Sequence, residues 1–140
     1  MIIIPNFHFN GECEQALKLY EKVFNGQITI LMHYCDADPS DLSFELSEKE
    51  KGYVYHAEMI IANQRFIFSD FLGEIPYGKN MSILVAFDCE CDVKAAYEML
   101  IDGGVDITPL KETTYSNCFA SLVDRFGMRW ELMTENESTE

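Results

Sequence analysis

The chain has 140 residues, 48% of them hydrophobic, which is enough for one compact domain to bury a core without disulfides or metal. Its 24 acidic and 10 basic residues give a formal net charge of −14, a field that repels phosphate backbones and anionic lipid; neither nucleic acid nor a membrane surface is an expected partner. Met1-Ile2-Ile3-Ile4 lacks the basic start and cleavage site of a signal peptide, and no stretch approaches the roughly 20 apolar residues of a membrane span, so a cytoplasmic location is expected.

Residues 2–9 read as a strand in which Pro5 marks an edge or an unpaired outward amide. From Gly11 the spacing changes to that of an amphipathic helix, with Cys13, Ala16, Leu17, Tyr20, Val23 and Phe24 on one stripe. Asn10 is placed to cap its start and Asn25-Gly26 to stop it. Gln27 to Tyr34 reads as a strand, Cys35 to Lys51 as a long acidic loop, and Tyr53–Ala62 and Arg65–Phe71 as strands joined at Asn63-Gln64. Residues 73–80 form a linker between module one (1–72) and module two (81–135), with a frayed tail at 136–140.

The second half repeats this plan: a strand at Met81–Asp88, a helix at Asp92–Ile101 stopped by Gly103-Gly104, and a short strand at Val105–Pro109. Asp124-Arg125-Phe126-Gly127 then joins two strands as a hairpin, Asp suiting the first turn position and Gly the positive φ. A shift of 77 residues lays Ala16 on Val93, Tyr20 on Tyr97, Val23 on Leu100 and Gly26 on Gly103. The repeat predicts an α+β protein of two βαβββ modules, each a curved sheet with a helix outside, leaving a concave cavity between them.

On the last strand Trp130 and Leu132 face one way and Arg129, Glu131 and Met133 the other. Glu131 in such a cavity could act as an acid or base or orient a polar ligand; alternatively it pairs with Arg129, Arg65 or Arg125 as a structural carboxylate. His56 and Glu58 share one strand face, and with Asp70, Glu131 and His8 they are conceivable donors of a metal site, although a histidine satisfied by the backbone is the commoner case. His33 has no evident partner. Phe7, Phe9, Phe66, Phe68, Tyr115, Phe119 and Trp130 divide between core and cavity, with core the commoner role. The odd count of five cysteines implies reduced thiols, Cys118 reads as buried and inert, and Cys89-Glu90-Cys91 lacks the second pair a zinc site needs. No phosphate loop, nucleophile triad or dinucleotide fingerprint is present.

The segments Asn6-Phe7-His8-Phe9-Asn10-Gly11, Ala16-Leu17-Lys18-Leu19-Tyr20, His56-Ala57-Glu58, Phe68-Ser69-Asp70 and Asp124 to Leu132 resemble the PhnB-like branch of the vicinal oxygen chelate superfamily. That superfamily includes glyoxalase I, bleomycin-resistance proteins and extradiol dioxygenases, and the branch is often labelled 3-demethylubiquinone methyltransferase-like. The resemblance implies an open barrel and a homodimer. It also implies metal-ligand positions falling on Pro5, on Ser69 or Asp70, on Ser82 and on Glu131. Only Glu131 is a good ligand there, so no metal or other cofactor is expected.

The resulting expectation is a small-molecule binder whose pocket is lined by Phe7, His56, Glu58, Asp70, Ser82 and Glu131, with Glu131 as the catalytic candidate. A metal enzyme with a rearranged site, acting as lyase, isomerase or dioxygenase, and a dimeric scaffold with a filled cavity are the alternatives. Nothing resembles a methyl-donor motif, so methyltransferase activity is not expected.

Overall fold

A computed structural model describes residues 1–135, and the frayed tail expected at 136–140 lies outside the described residues. The chain divides into two compact units, Met1–Pro76 and Tyr77–Glu140. The first runs β1 (Asn6–Phe9), α1 (Cys13–Phe24), β2 (Gln27–His33), α2 (Glu48–Lys51), β3 (Val54–Ile61) and β4 (Gln64–Asp70). The second runs β5 (Ile83–Phe87), α3 (Glu90–Ile101), β6 (Val105–Lys111), β7 (Phe119–Val123) and β8 (Arg129–Thr134). Strand order is β1-β4-β3-β2 in one sheet and β5-β8-β7-β6 in the other. In each the first strand pairs parallel with the last and the remaining pairs are antiparallel, so the βαβββ repeat is present in topology as well as pattern.

Each sheet buries one face under its helix. In the first unit Cys13, Ala16, Leu17 and Tyr20 of α1 are fully buried, and the Phe7 ring meets those of Tyr20, Phe66 and Phe68 edge-on at 6.1, 6.0 and 5.3 Å. Burial of a leucine or phenylalanine in this set contributes about 1.5–3 kcal/mol. In the second, Val93, Ala96 and Leu100 of α3 lie over β7 and β8, whose Ala120, Leu122, Trp130 and Leu132 are buried. Asn25 ends α1 in the left-handed conformation at φ 52°, as its position after the last apolar residue predicts.

Several local expectations are corrected. Asn10 does not cap α1: the helix starts at Cys13, the residue before it gives no side-chain cap, and the Gly11 and Cys13 amides are taken by Asp70 from the end of β4. The β3–β4 turn falls one residue early, on Ala62 and Asn63, whose φ of 49° and 64° suit a two-residue hairpin loop. The first strand covers only Asn6–Phe9, with Ile2 and Ile3 exposed. The acidic stretch is not a featureless loop: Asp38 Oδ1 accepts from the Ser40 amide at 2.9 Å to start a turn, and Ser47 and Glu50 form a reciprocal capping box that starts α2. His33 has partners, its Nε2 pairing with Glu14 on α1 and its amide donating to Asp36 Oδ2.

The expectation of five reduced thiols is also corrected. Cys89 and Cys91 form a disulfide across the junction of β5 and α3, with Cα atoms 5.4 Å apart. An odd total says nothing about a pair brought together by a strand-to-helix turn, and this spacing lies within the range a disulfide needs. Cys13 and Cys118 are buried, and burial raises both thiols above their ordinary range, aided by Asp70 at Cys13 and Glu90 at Cys118; Cys35 is exposed. In the folded, unreduced protein a thiol reagent such as iodoacetamide should therefore label Cys35 alone, and mild reduction should add only Cys89 and Cys91. Labelling of Cys13 or Cys118 without denaturant would contradict this packing.

Candidate functional site

With one face of each sheet committed to its helix, polar chemistry collects on the other. In the first unit Glu58 on β3 accepts from Arg65 Nε at 2.5 Å through Oε1, and its Oε2 lies 2.7 Å from His56 Nε2. Strand alternation puts His56 and Glu58 on one face, and the two-residue turn folds Arg65 back beside them, opposite Ile60. The Glu58 side chain is 11% exposed while those of His56 and Arg65 are 35% and 44% exposed, a carboxylate held under two donors that reach solvent.

The hydrogen bond from Arg65, then that from His56, holds the Glu58 carboxyl below its usual range. A lowered carboxyl contributes stability above its unfolded value and loses it as pH falls through the folded one. The stability difference between wild type and Glu58→Gln should accordingly be full at neutral pH and shrink below the ordinary carboxylate range, as measured by denaturant unfolding across pH. A difference that does not change with pH would dismiss the charged cluster. Nearby, His8 Nδ1 lies 3.0 Å from Ser69 Oγ, and burial lowers the His8 pKa.

In the second unit Ser82 Oγ, just before β5, donates to Glu131 Oε2 at 3.0 Å, and Ser121 stands across the β7–β8 ladder from Glu131. Glu131 forms no ion pair among the described residues. The arginines offered as its partners are engaged elsewhere: Arg129 with the Lys79 carbonyl, Arg65 with Glu58, and Arg125 over the Phe126 ring.

The structure brings together His56 with Glu58, and Ser82 with Glu131. It sends Phe7 and Asp70 the other way. Phe7 lies in the core under α1, 8% exposed. Asp70, 1% exposed, accepts through Oδ1 from the Gly11 and Cys13 amides at 2.7 and 3.1 Å and through Oδ2 from the Val54 amide at 2.9 Å. It is a tie between strand ends and a helix start rather than part of a pocket wall. Ser69, its neighbour, is on the open face. Arg65 was not among the expected site residues; the signal for it was the short turn, which fixes which residue returns beside Glu58.

These donors do not fit the metal that the superfamily implies. Pro5, at the first ligand position, offers only a carbonyl, already bonded to the Ile67 amide at 2.9 Å, and Ser69 and Ser82 are weak donors engaged with His8 and Glu131. Among the described residues the one trio of possible ligand atoms that converges is Cys89, Cys91 and Asp92, and its two sulfurs are bonded to each other.

Solved structures share this fold. Protein PA1353 from Pseudomonas aeruginosa is 26% identical over 96% of this chain and 98% of its own, with a TM-score of 0.83. A putative 3-demethylubiquinone-9 3-methyltransferase, PhnB protein, from Bacillus cereus is 23% identical over 96% and 99%, with a TM-score of 0.80. A glyoxylase/bleomycin resistance protein/dioxygenase domain from Frankia sp. EAN1pec, 9% identical over 97% and 98%, has a TM-score of 0.66. The fold is thus that of the vicinal oxygen chelate proteins. Within it, the chain belongs to the PhnB-like family described as 3-demethylubiquinone-9 3-methyltransferase, which matches residues 1–133. No curated protein matches it.

Proposed function

We propose that the protein binds a small oxygen-bearing molecule on the open face of its first sheet, without the divalent metal of its superfamily and without methyl transfer. The observation that carries this reading is the Glu58 cluster. Glu58 orients Arg65 through Nε, and the guanidinium retains terminal N–H groups in the fork geometry that suits a carboxylate or other oxyanion. In the second unit, taken by itself, Glu131 with Ser82 donating to it is the candidate acid or base. A homodimer belongs to the same reading, supported by Ile30, Leu31 and Met32, which are 39%, 39% and 37% exposed on the edge strand β2. Sedimentation should return twice the chain mass.

Elemental analysis of untagged protein purified without chelator tests the metal-free reading. Zinc, nickel, iron and manganese should each stay well below one equivalent per chain, even after incubation with the ions. Near-stoichiometric metal that is lost in His56→Ala would replace this reading with a rearranged metal site. S-adenosylmethionine should leave the melting temperature unchanged.

A further inference from the structure

A separate cleft of about 390 Å³ opens in the first unit, away from Glu58, between the acidic stretch and the segment that follows β4. Its size exceeds the roughly 300 Å³ at which small-molecule sites begin. Four aromatic rings from distant parts of the sequence line it: Tyr34, Phe44, Tyr55 and Phe71. Phe44 and Phe71 are 52% and 47% exposed, apolar surface that a ligand would cover. The two tyrosines are fixed in place. Tyr34 Oη donates to the Asp70 carbonyl at 2.7 Å, Tyr55 Oη donates to Asp41 Oδ2 at 2.9 Å, and the rings meet edge-on at 5.3 Å. Phe71 stacks on His8 at 4.2 Å. A wall whose side chains are already oriented loses little freedom on binding.

The charge in the cleft has one sign. Asp41 and Glu74 line it, no lysine, arginine or histidine does, and neither carboxylate forms an ion pair among the described residues. Asp41 and Glu74 do not join a third metal-ligating group, which argues against a bare divalent ion. Anions are opposed by these carboxylates and by the net charge of −14. A neutral aromatic would fill the cleft without using its charge. The chemistry that uses both features is a cation with an apolar body: ring faces attract it through their quadrupoles and the carboxylates neutralise it.

We propose that this cleft is a binding site for a small organic cation, a quaternary or aromatic ammonium compound. It stands on observations independent of the Glu58 and Glu131 clusters. Titration of the full chain with benzyltrimethylammonium, followed by calorimetry at low salt, tests it, with benzyl alcohol and phenylacetate as neutral and anionic counterparts. Saturable binding of the cation at one site per chain is expected, weakened roughly fivefold or more by Phe44→Ala and by Glu74→Gln. Both side chains belong to surface segments, and Glu74→Gln keeps side-chain size, so it carries the test should Phe44→Ala fail to fold. Phenylacetate should not bind, and benzyl alcohol should bind at least about fivefold more weakly. Absence of saturable binding, equal binding of benzyl alcohol, or an affinity unchanged in Glu74→Gln would overturn the proposal.

Discussion

Replacing Asp70 with alanine should destabilise the first unit by about 3–5 kcal/mol, one of the two largest effects we expect of any single substitution. Three backbone amides, the buried ones of Cys13 and Val54 and the half-buried one of Gly11, lose their acceptor together at a residue that is 1% exposed. Leaving one buried donor unpaired costs roughly 1–3 kcal/mol, with partial relaxation limiting the sum. Asp70→Asn should recover part of the loss, since Oδ1 can still accept from two amides while the new amino group opposes the third. Denaturant unfolding measures the size, and hydrogen exchange supplies the signature, with the Cys13 and Val54 amides losing protection before those of the second unit. A loss below about 1 kcal/mol would show that α1 does not depend on this cap.

Asp124→Ala should cost a similar amount, about 3–5 kcal/mol, in the second unit. Asp124 is 3% exposed; its Oδ1 accepts from the Phe126 and Met128 amides at 2.9 and 3.1 Å and its Oδ2 from Trp130 Nε1 at 2.8 Å. One carboxylate thereby shapes the turn and anchors the largest core side chain under α3. Gly127 completes the turn at φ 88°, where a side chain would also run into the Tyr77 ring. The fluorescence of the single tryptophan should shift to the red in Asp124→Ala before global unfolding. An unshifted spectrum with an unchanged denaturation midpoint would remove Asp124 from this role.

The two carboxylates show where reading residues in order succeeds and where it stops. Asp124 was legible as a turn residue because its partners lie within six positions, inside the window of local turn chemistry. Asp70 was not, since Cys13 at the start of α1 and Gly11 just before it lie 57 and 59 positions away. At the end of a strand, alternation alone cannot say which of Ser69 and Asp70 faces the helix; the register Phe7 to Phe68 and Phe9 to Asp70 decides it. The same register puts Phe7 in the core, a choice alternation leaves open because aromatic residues suit either face of a sheet. The cleft aromatics Tyr34, Phe44, Tyr55 and Phe71 carry no common sequence signal, because turns and loops bring them together.

By itself the sequence determined the repeat, the family, both amphipathic helices, the left-handed stop at Asn25 and the hairpin at Gly127, because periodicity, turn residues and caps act over a few positions. Only the tertiary structure decided that Asp70 ties strand ends to a helix, that Glu58 is held between His56 and Arg65, that Ser82 reaches Glu131, and that Cys89 bonds to Cys91. Those pairings depend on strand register and chain closure, and a polar group's partner is set by which distant atom arrives within about 3 Å, a distance no local pattern encodes.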